Sequence, residues 1–219
     1  MKVEAQGQTR PLMRRRISKY SGPVDEFFEP PPRYKIAFEV LPPQEWDGPP
    51  RDAVPAIVPL ERVIAQNDDV GVYLACLWVY PTGFEFEVFV VAKDESTKLK
   101  PFDFERQYEA EEDGEIAPAQ LRLGFLFADG AKATNIGRRS DWDREPGSRP
   151  KGPVMWSPES GGGGGEWYCK LWVWPLPPPG PLQFVCEWPE AGISLTYADL
   201  DSAAIIDAAS RAKAIFPSD

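Results

Sequence analysis

The sequence predicts a mainly β protein: an immunoglobulin-like antiparallel β-sandwich with a C-terminal α-helix and an extended N-terminal arm. Three observations lead there. Short runs of alternating apolar residues recur between residues 57 and 197, each bounded by turn formers. The 25 prolines and 18 glycines among 219 residues commit much of the chain to turns. A full stripe at helical spacing comes only at the end, where Ile205, Ala208, Ala209, Ala212, Ile215 and Phe216 recur three and four apart.

Taken in order, residues 1–33 are basic up to Lys19 and then acidic and proline-rich, with no period that buries a face, so they form the arm. Residues 34–219 are read as a single domain. It opens with a first strand or edge-adding segment at 34–41, followed by a loop over 44–56. Strands are expected over 57–65 and 70–80, the second apolar on both faces in the manner of a central strand. Pro81, Thr82 and Gly83 turn the chain into residues 84–91, where Phe84, Phe86, Val88 and Val90 share one face. An acidic excursion over 93–118 carries a helical turn near 102–108.

Leu121, Leu123, Phe125 and Phe127 again share a face, and Ala128, Asp129 and Gly130 turn into 131–136. Residues 137–152 are loop, and 154–158 a short strand. The five glycines from Gly161 to Gly165 are read as a flexible surface loop. A phosphate loop is disfavoured, because that motif requires Gly-Lys-Ser/Thr opening a helix, whereas Glu166 and Trp167 open a strand.

Residues 166–174 (EWYCKLWVW) and 182–188 (LQFVCEW) are expected to pair as a tryptophan-rich hairpin through the proline turn at 175–180. Matching apolar sets sets Val173 opposite Leu182, Leu171 opposite Phe184, Cys169 opposite Cys186 and Trp167 opposite Trp188. The cysteines are then cross-strand neighbours, either buried thiols or a disulfide. A last strand over 193–197 leads to a helix over 202–216, capped by Asp201 or Ser202 and ended by Pro217.

Composition narrows the chemistry. A formal charge of −10 disfavours a whole-body nucleic-acid binder. The chain has no histidine, which removes His-based triads, His-liganded zinc and histidine pH switching. Three scattered cysteines fit neither a zinc knuckle nor a disulfide-dense scaffold. The N-terminus shows no export signal and no run reaches membrane-spanning length, so the expectation is a soluble cytoplasmic protein without cofactor or metal.

Trp172 and Trp174 share a strand face with Tyr168 and Lys170, opposite the expected core face. Exposed, they would stack a sugar or anchor a partner; otherwise the arm, proline turn or helix covers them. Glu85 and Glu87 project together and suit acid–base work on a glycoside, though alternating glutamates commonly form a solvated face. The acidic run over 109–115 lacks EF-hand spacing. Arg10, Arg14, Arg15, Arg16 and Lys19 form the basic cluster, fit for an acidic protein surface or, through the arm alone, nucleic acid.

The segments YPTGFEF (80–86), LGFLFADG (123–130), the glycine tract, WVWPLPPPGPL (172–182) and CEWP (186–189) resemble a family of uncharacterised bacterial proteins, over residues 55–217. The resemblance implies one bacterial cytoplasmic domain and carries no activity or site residue. Its motif residues are turn formers and aromatics, which favours a scaffold. With no histidine, a long extended arm and no strong catalytic set, the leading expectation is a non-catalytic protein-binding or assembly module that docks through its arm, a sheet edge or the aromatic hairpin, with a homo-oligomer or another protein as partner. A carbohydrate-binding or glycoside-cleaving sandwich is the alternative.

Overall fold

The computed structural model describes residues 44–96, 98–102, 116–136 and 149–216. The expected arm, the strand at 34–41 and the helical turn near 102–108 lie outside these residues or run out of them. The described residues from Glu45 onward belong to one compact unit.

Turn chemistry sets the first hairpins. Strand β1 (Ala53–Val54) precedes β2 (Ala56–Gln66), and Asn67 then folds the chain back into β3 (Val70–Val79). The Asn67 side-chain oxygen accepts the Asp69 and Val70 amides, each at 2.9 Å, so a side chain mimics a backbone turn. Pro81, Thr82 and Gly83 lead into β4 (Phe84–Ala92), with Val79 registered on Phe84. Gly83 is fixed by space: a Cβ there would sit 2.3 Å from the Val173 carbonyl oxygen and 2.6 Å from the Trp172 ring. Strands β5 (Arg122–Leu126) and β6 (Lys132–Thr134) close around Asp129 and Gly130, where the Phe127 amide donates to the Ala131 carbonyl at 2.9 Å.

The remaining strands are β7 (Val154–Gly163), β8 (Glu166–Trp174), β9 (Leu182–Trp188) and β10 (Ile193–Leu200). Helix α1 (Ser202–Arg211) follows, then β11 (Lys213–Ala214), which pairs with β1. One sheet runs β2-β3-β4-β8-β7, the other β10-β9-β5-β6, both antiparallel.

Period-two alternation buries Phe84, Phe86, Val88 and Val90 on β4 and Leu123 and Phe125 on β5, as expected from the sequence. The two faces meet in a phenylalanine cluster. Phe125 lies edge-on to Phe84 at 5.2 Å, to Phe86 at 5.3 Å and to Phe184 at 5.1 Å between ring centroids. These edge-to-face contacts are the geometry that ring quadrupoles favour. Asp201 caps α1 by accepting the Ala203 and Ala204 amides at 2.9 and 3.1 Å, and Ile205 and Ala208 enter the core.

Three expectations are corrected. The tryptophan ribbon is not a hairpin: β8 pairs with β4 and β7, whereas β9 pairs with β5 and β10. The five prolines of residues 175–181 carry the chain from one sheet to the other. Proline has no amide to extend a ladder, and alternation reports which face is buried without saying whether the partner lies beside the strand or across the core. Cys169 and Cys186 accordingly belong to opposite sheets, and all three cysteines are free thiols.

The glycine tract, in turn, is ordered structure. Gly161, Gly162 and Gly163 end β7, and Gly164 and Gly165 form a two-residue turn with φ of 63° and 85°, both in the left-handed region that glycine occupies without strain. The helix also stops at Arg211, short of residue 216. Ala212 is extended, the chain pairs with β1, and the Ile215 amide donates to the Asp52 carbonyl at 2.7 Å. Ile215 and Phe216 therefore leave the helical stripe and are exposed. Pairing satisfies backbone groups of β1 that a longer helix would leave without partners.

Candidate functional site

Strand register turns the outer face of the five-stranded sheet into rows. Because β4 faces inward at Phe84, Phe86 and Val88, its Glu85, Glu87, Phe89 and Val91 face outward. Pairing across the sheet aligns Trp78, Glu85, Trp172 and Trp156 in one row. Glu87, Lys170 and Glu159 make the next, and Val63, Tyr73, Phe89, Tyr168 and Gly161 the third.

The tryptophan end of this face is closed. Trp46, Tyr80, Val154, Trp172 and Trp174 form a second buried cluster. Trp46 lies edge-on to Trp174 at 5.6 Å and Tyr80 to Trp172 at 5.9 Å, while the Trp156 indole N–H donates to the Trp46 carbonyl at 3.2 Å. Trp172 and Trp174 are thus lid-covered core residues, and an open sugar-stacking platform at these positions is corrected. The covering residues come from the short helical turn Glu45–Asp47 and from the strand neighbours, which no periodicity within 166–174 reveals.

Glu85 lies beneath that lid, only 7% exposed, so the solvated-face expectation does not hold there. The Tyr80 hydroxyl donates to Glu85 Oε2 at 3.3 Å, and Lys170 Nζ stands 3.9 Å from the same oxygen. Burial raises the Glu85 carboxyl above its ordinary range; Lys170 and the Tyr80 bond pull it back down, and the Glu87 charge pushes it up. Burial, then the neighbouring Glu85 charge and hydrogen bond, push the Tyr80 phenol up to about 12. Lys170 Nζ also sits 5.6 Å over the Trp78 ring, and the Arg149 guanidinium 5.0 Å over the Trp174 ring.

The other end of the face is open. Tyr73 and Phe89 stack at 4.9 Å with 12° between their planes. The Tyr168 hydroxyl donates to Glu159 Oε1 at 3.3 Å, and its ring covers Gly161, where a Cβ would come within 3.0 Å of it. The Glu159 charge beside it raises the Tyr168 phenol. Cys76, half-buried on this face, is raised first by burial and then by the Glu87 charge.

Of the residues singled out from sequence, Tyr168, Trp172, Trp174, Glu85 and Glu87 share this face. Arg14, Arg15 and Arg16 lie outside the described residues. The Tyr73–Phe89 stack and the Trp78–Lys170 contact were not singled out; alternation assigns each residue a face, but only cross-strand register makes them neighbours. Among the described residues, no group of three or more His, Cys, Asp and Glu is disposed to hold a metal ion. No helix of the described residues is long and apolar enough to cross a membrane. In comparisons with known proteins, no family model matches the chain, and no curated protein or solved structure matches it.

Proposed function

We propose that this protein is a non-catalytic docking module, an immunoglobulin-like β-sandwich that binds another protein through the open end of its five-stranded face. Strand order supports the fold reading. β4 and β8 are neighbours in one sheet, β5 and β9 in the other, and the chain crosses between sheets after both β4 and β8. The orders β3-β4-β8-β7 and β10-β9-β5-β6 parallel the A-B-E-D and G-F-C-C′ orders of immunoglobulin-type sandwiches, with β2 an additional edge strand.

The observation that carries the docking reading is the third row. Val63 and Tyr73 in that row, and Val91 one row beyond it on β4, stay exposed around the Tyr73–Phe89 stack, at 57%, 36% and 40% of their full accessibility. Large apolar side chains grouped on one sheet face lose free energy to water unless a partner covers them. The test is affinity capture with the full chain, comparing wild type with Val63→Asp/Tyr73→Asp and with Leu195→Asp/Tyr197→Asp on the opposite sheet. The expected result is a partner lost only with the first pair; equal capture by all three proteins overturns the reading.

A further inference from the structure

The second and third rows of the outer face say what chemistry a partner must bring. Their charged groups are Glu87 and Glu159 on either side of Lys170, beside the rings of Tyr73, Phe89 and Tyr168. Lys170 itself leans away from both partners in its row, toward Glu85 and the Trp78 ring. The open end thus presents carboxylates next to aromatic faces, a combination that receives ammonium and guanidinium groups.

The fold already uses this chemistry once at the closed end of the same face, and its aromatic half a second time. Lys170 is seated between a ring and a carboxylate, and Arg149 over a ring. The row of Tyr73, Phe89 and Tyr168 with Glu87 and Glu159 repeats ring plus carboxylate where solvent reaches it. The formal charge of −10 on the chain adds a long-range field that draws a basic partner in.

We propose that this row binds an arginine- or lysine-rich extended segment of the protein partner, laid across the strands with its cations over the rings and against Glu87 and Glu159. The inference rests on the docking reading and narrows it to a basic partner. An acidic segment is excluded by the same carboxylates, so the face selects by charge as well as by apolar contact.

The experiment is fluorescence anisotropy of the full chain with a short labelled peptide of alternating arginine and serine, beside its glutamate-for-arginine counterpart. The expected result is binding of the basic peptide alone. Glu87→Gln/Glu159→Gln should weaken it mainly at low salt. Phe89→Leu and Tyr168→Leu should each weaken it roughly two- to fivefold at any salt, as a cation–π contact of about 0.5–1 kcal/mol converts. Asp129→Asn/Glu190→Gln removes two exposed carboxylates from turns of the other sheet and should leave affinity unchanged.

Equal loss with that control pair would mean attraction to net charge alone and overturns the proposal. So would equal binding of both peptides, or self-association of the chain that disappears with the face substitutions. If the basic peptide fails to bind while Val63→Asp/Tyr73→Asp still abolishes capture, the basic-partner inference falls and the docking reading stands. Failure of both assays removes both.

Discussion

At the scale of single residues, the polar knot beneath the lid couples stability to pH. The folded state raises the Glu85 carboxyl above its ordinary value of 4.5, so it holds that proton more tightly than the unfolded chain. Over that window the folded protein binds more protons, and unfolding free energy falls as pH rises. Glu85's contribution is full below pH 4.5 and declines as pH climbs through the raised value. The stability of Glu85→Gln relative to wild type should therefore improve between acidic and neutral pH in urea unfolding. A difference that stays flat with pH would contradict the assignment.

Two fully buried tryptophans make a second residue-scale comparison. The Trp188 indole N–H donates to the Ala119 carbonyl at 2.9 Å, whereas the Trp172 indole N–H has no hydrogen-bond partner among the described residues. Trp188→Phe leaves a carbonyl without its donor and should cost about 1–3 kcal/mol beyond the loss of packing. Trp172→Phe removes a group that was already unsatisfied, so its cost is packing alone. Chemical denaturation of the two variants should rank Trp188→Phe as the more damaging; the reverse order would refute this reading of the two indoles.

Among the elements, the β7–β8 turn shows where backbone conformation rules. Gly164 and Gly165 both have positive φ, which costs an ordinary residue about 1–2 kcal/mol. A Cβ on Gly165 also comes within 3.1 Å of the Ala92 carbonyl oxygen and of Glu95 Cα, while one on Gly164 meets nothing. Gly165→Ala should thus lower the melting temperature more than Gly164→Ala, and Gly164→Asn should be the mildest of the three. Asp201→Ala, which strips two amides of their cap, should cost about 1 kcal/mol on the same measurement.

For the molecule as a whole, the thiols report on how the sheets close over the core. Burial pushes Cys169 and Cys186 up to about 12, with the Ser157 hydroxyl easing the first and the Glu187 charge adding to the second. Cys76 lies half-buried on the outer face. A thiol reagent at neutral pH should modify Cys76 slowly and spare the other two until the domain unfolds, when all three react. Fast labelling of Cys169 or Cys186 in the native state would show that the sheets open.

The sequence by itself determined the inward face of β4 and β5 and the turns that lead into β4 and β6. Phe84 to Val90, Leu121 to Phe127, the Gly130 turn and a helix start at Asp201 or Ser202 are all local, set by alternation or by backbone chemistry within four residues. Tertiary structure decided who stands beside whom. It separated β8 from β9, ordered the glycine tract, ended the helix at Arg211 and set Trp46 over Trp174. It also aligned Tyr73, Phe89 and Tyr168 into one face. The reason is physical: burial constrains a side chain's direction along its own strand, whereas the choice of neighbour depends on filling one shared core, and distant segments compete for that space.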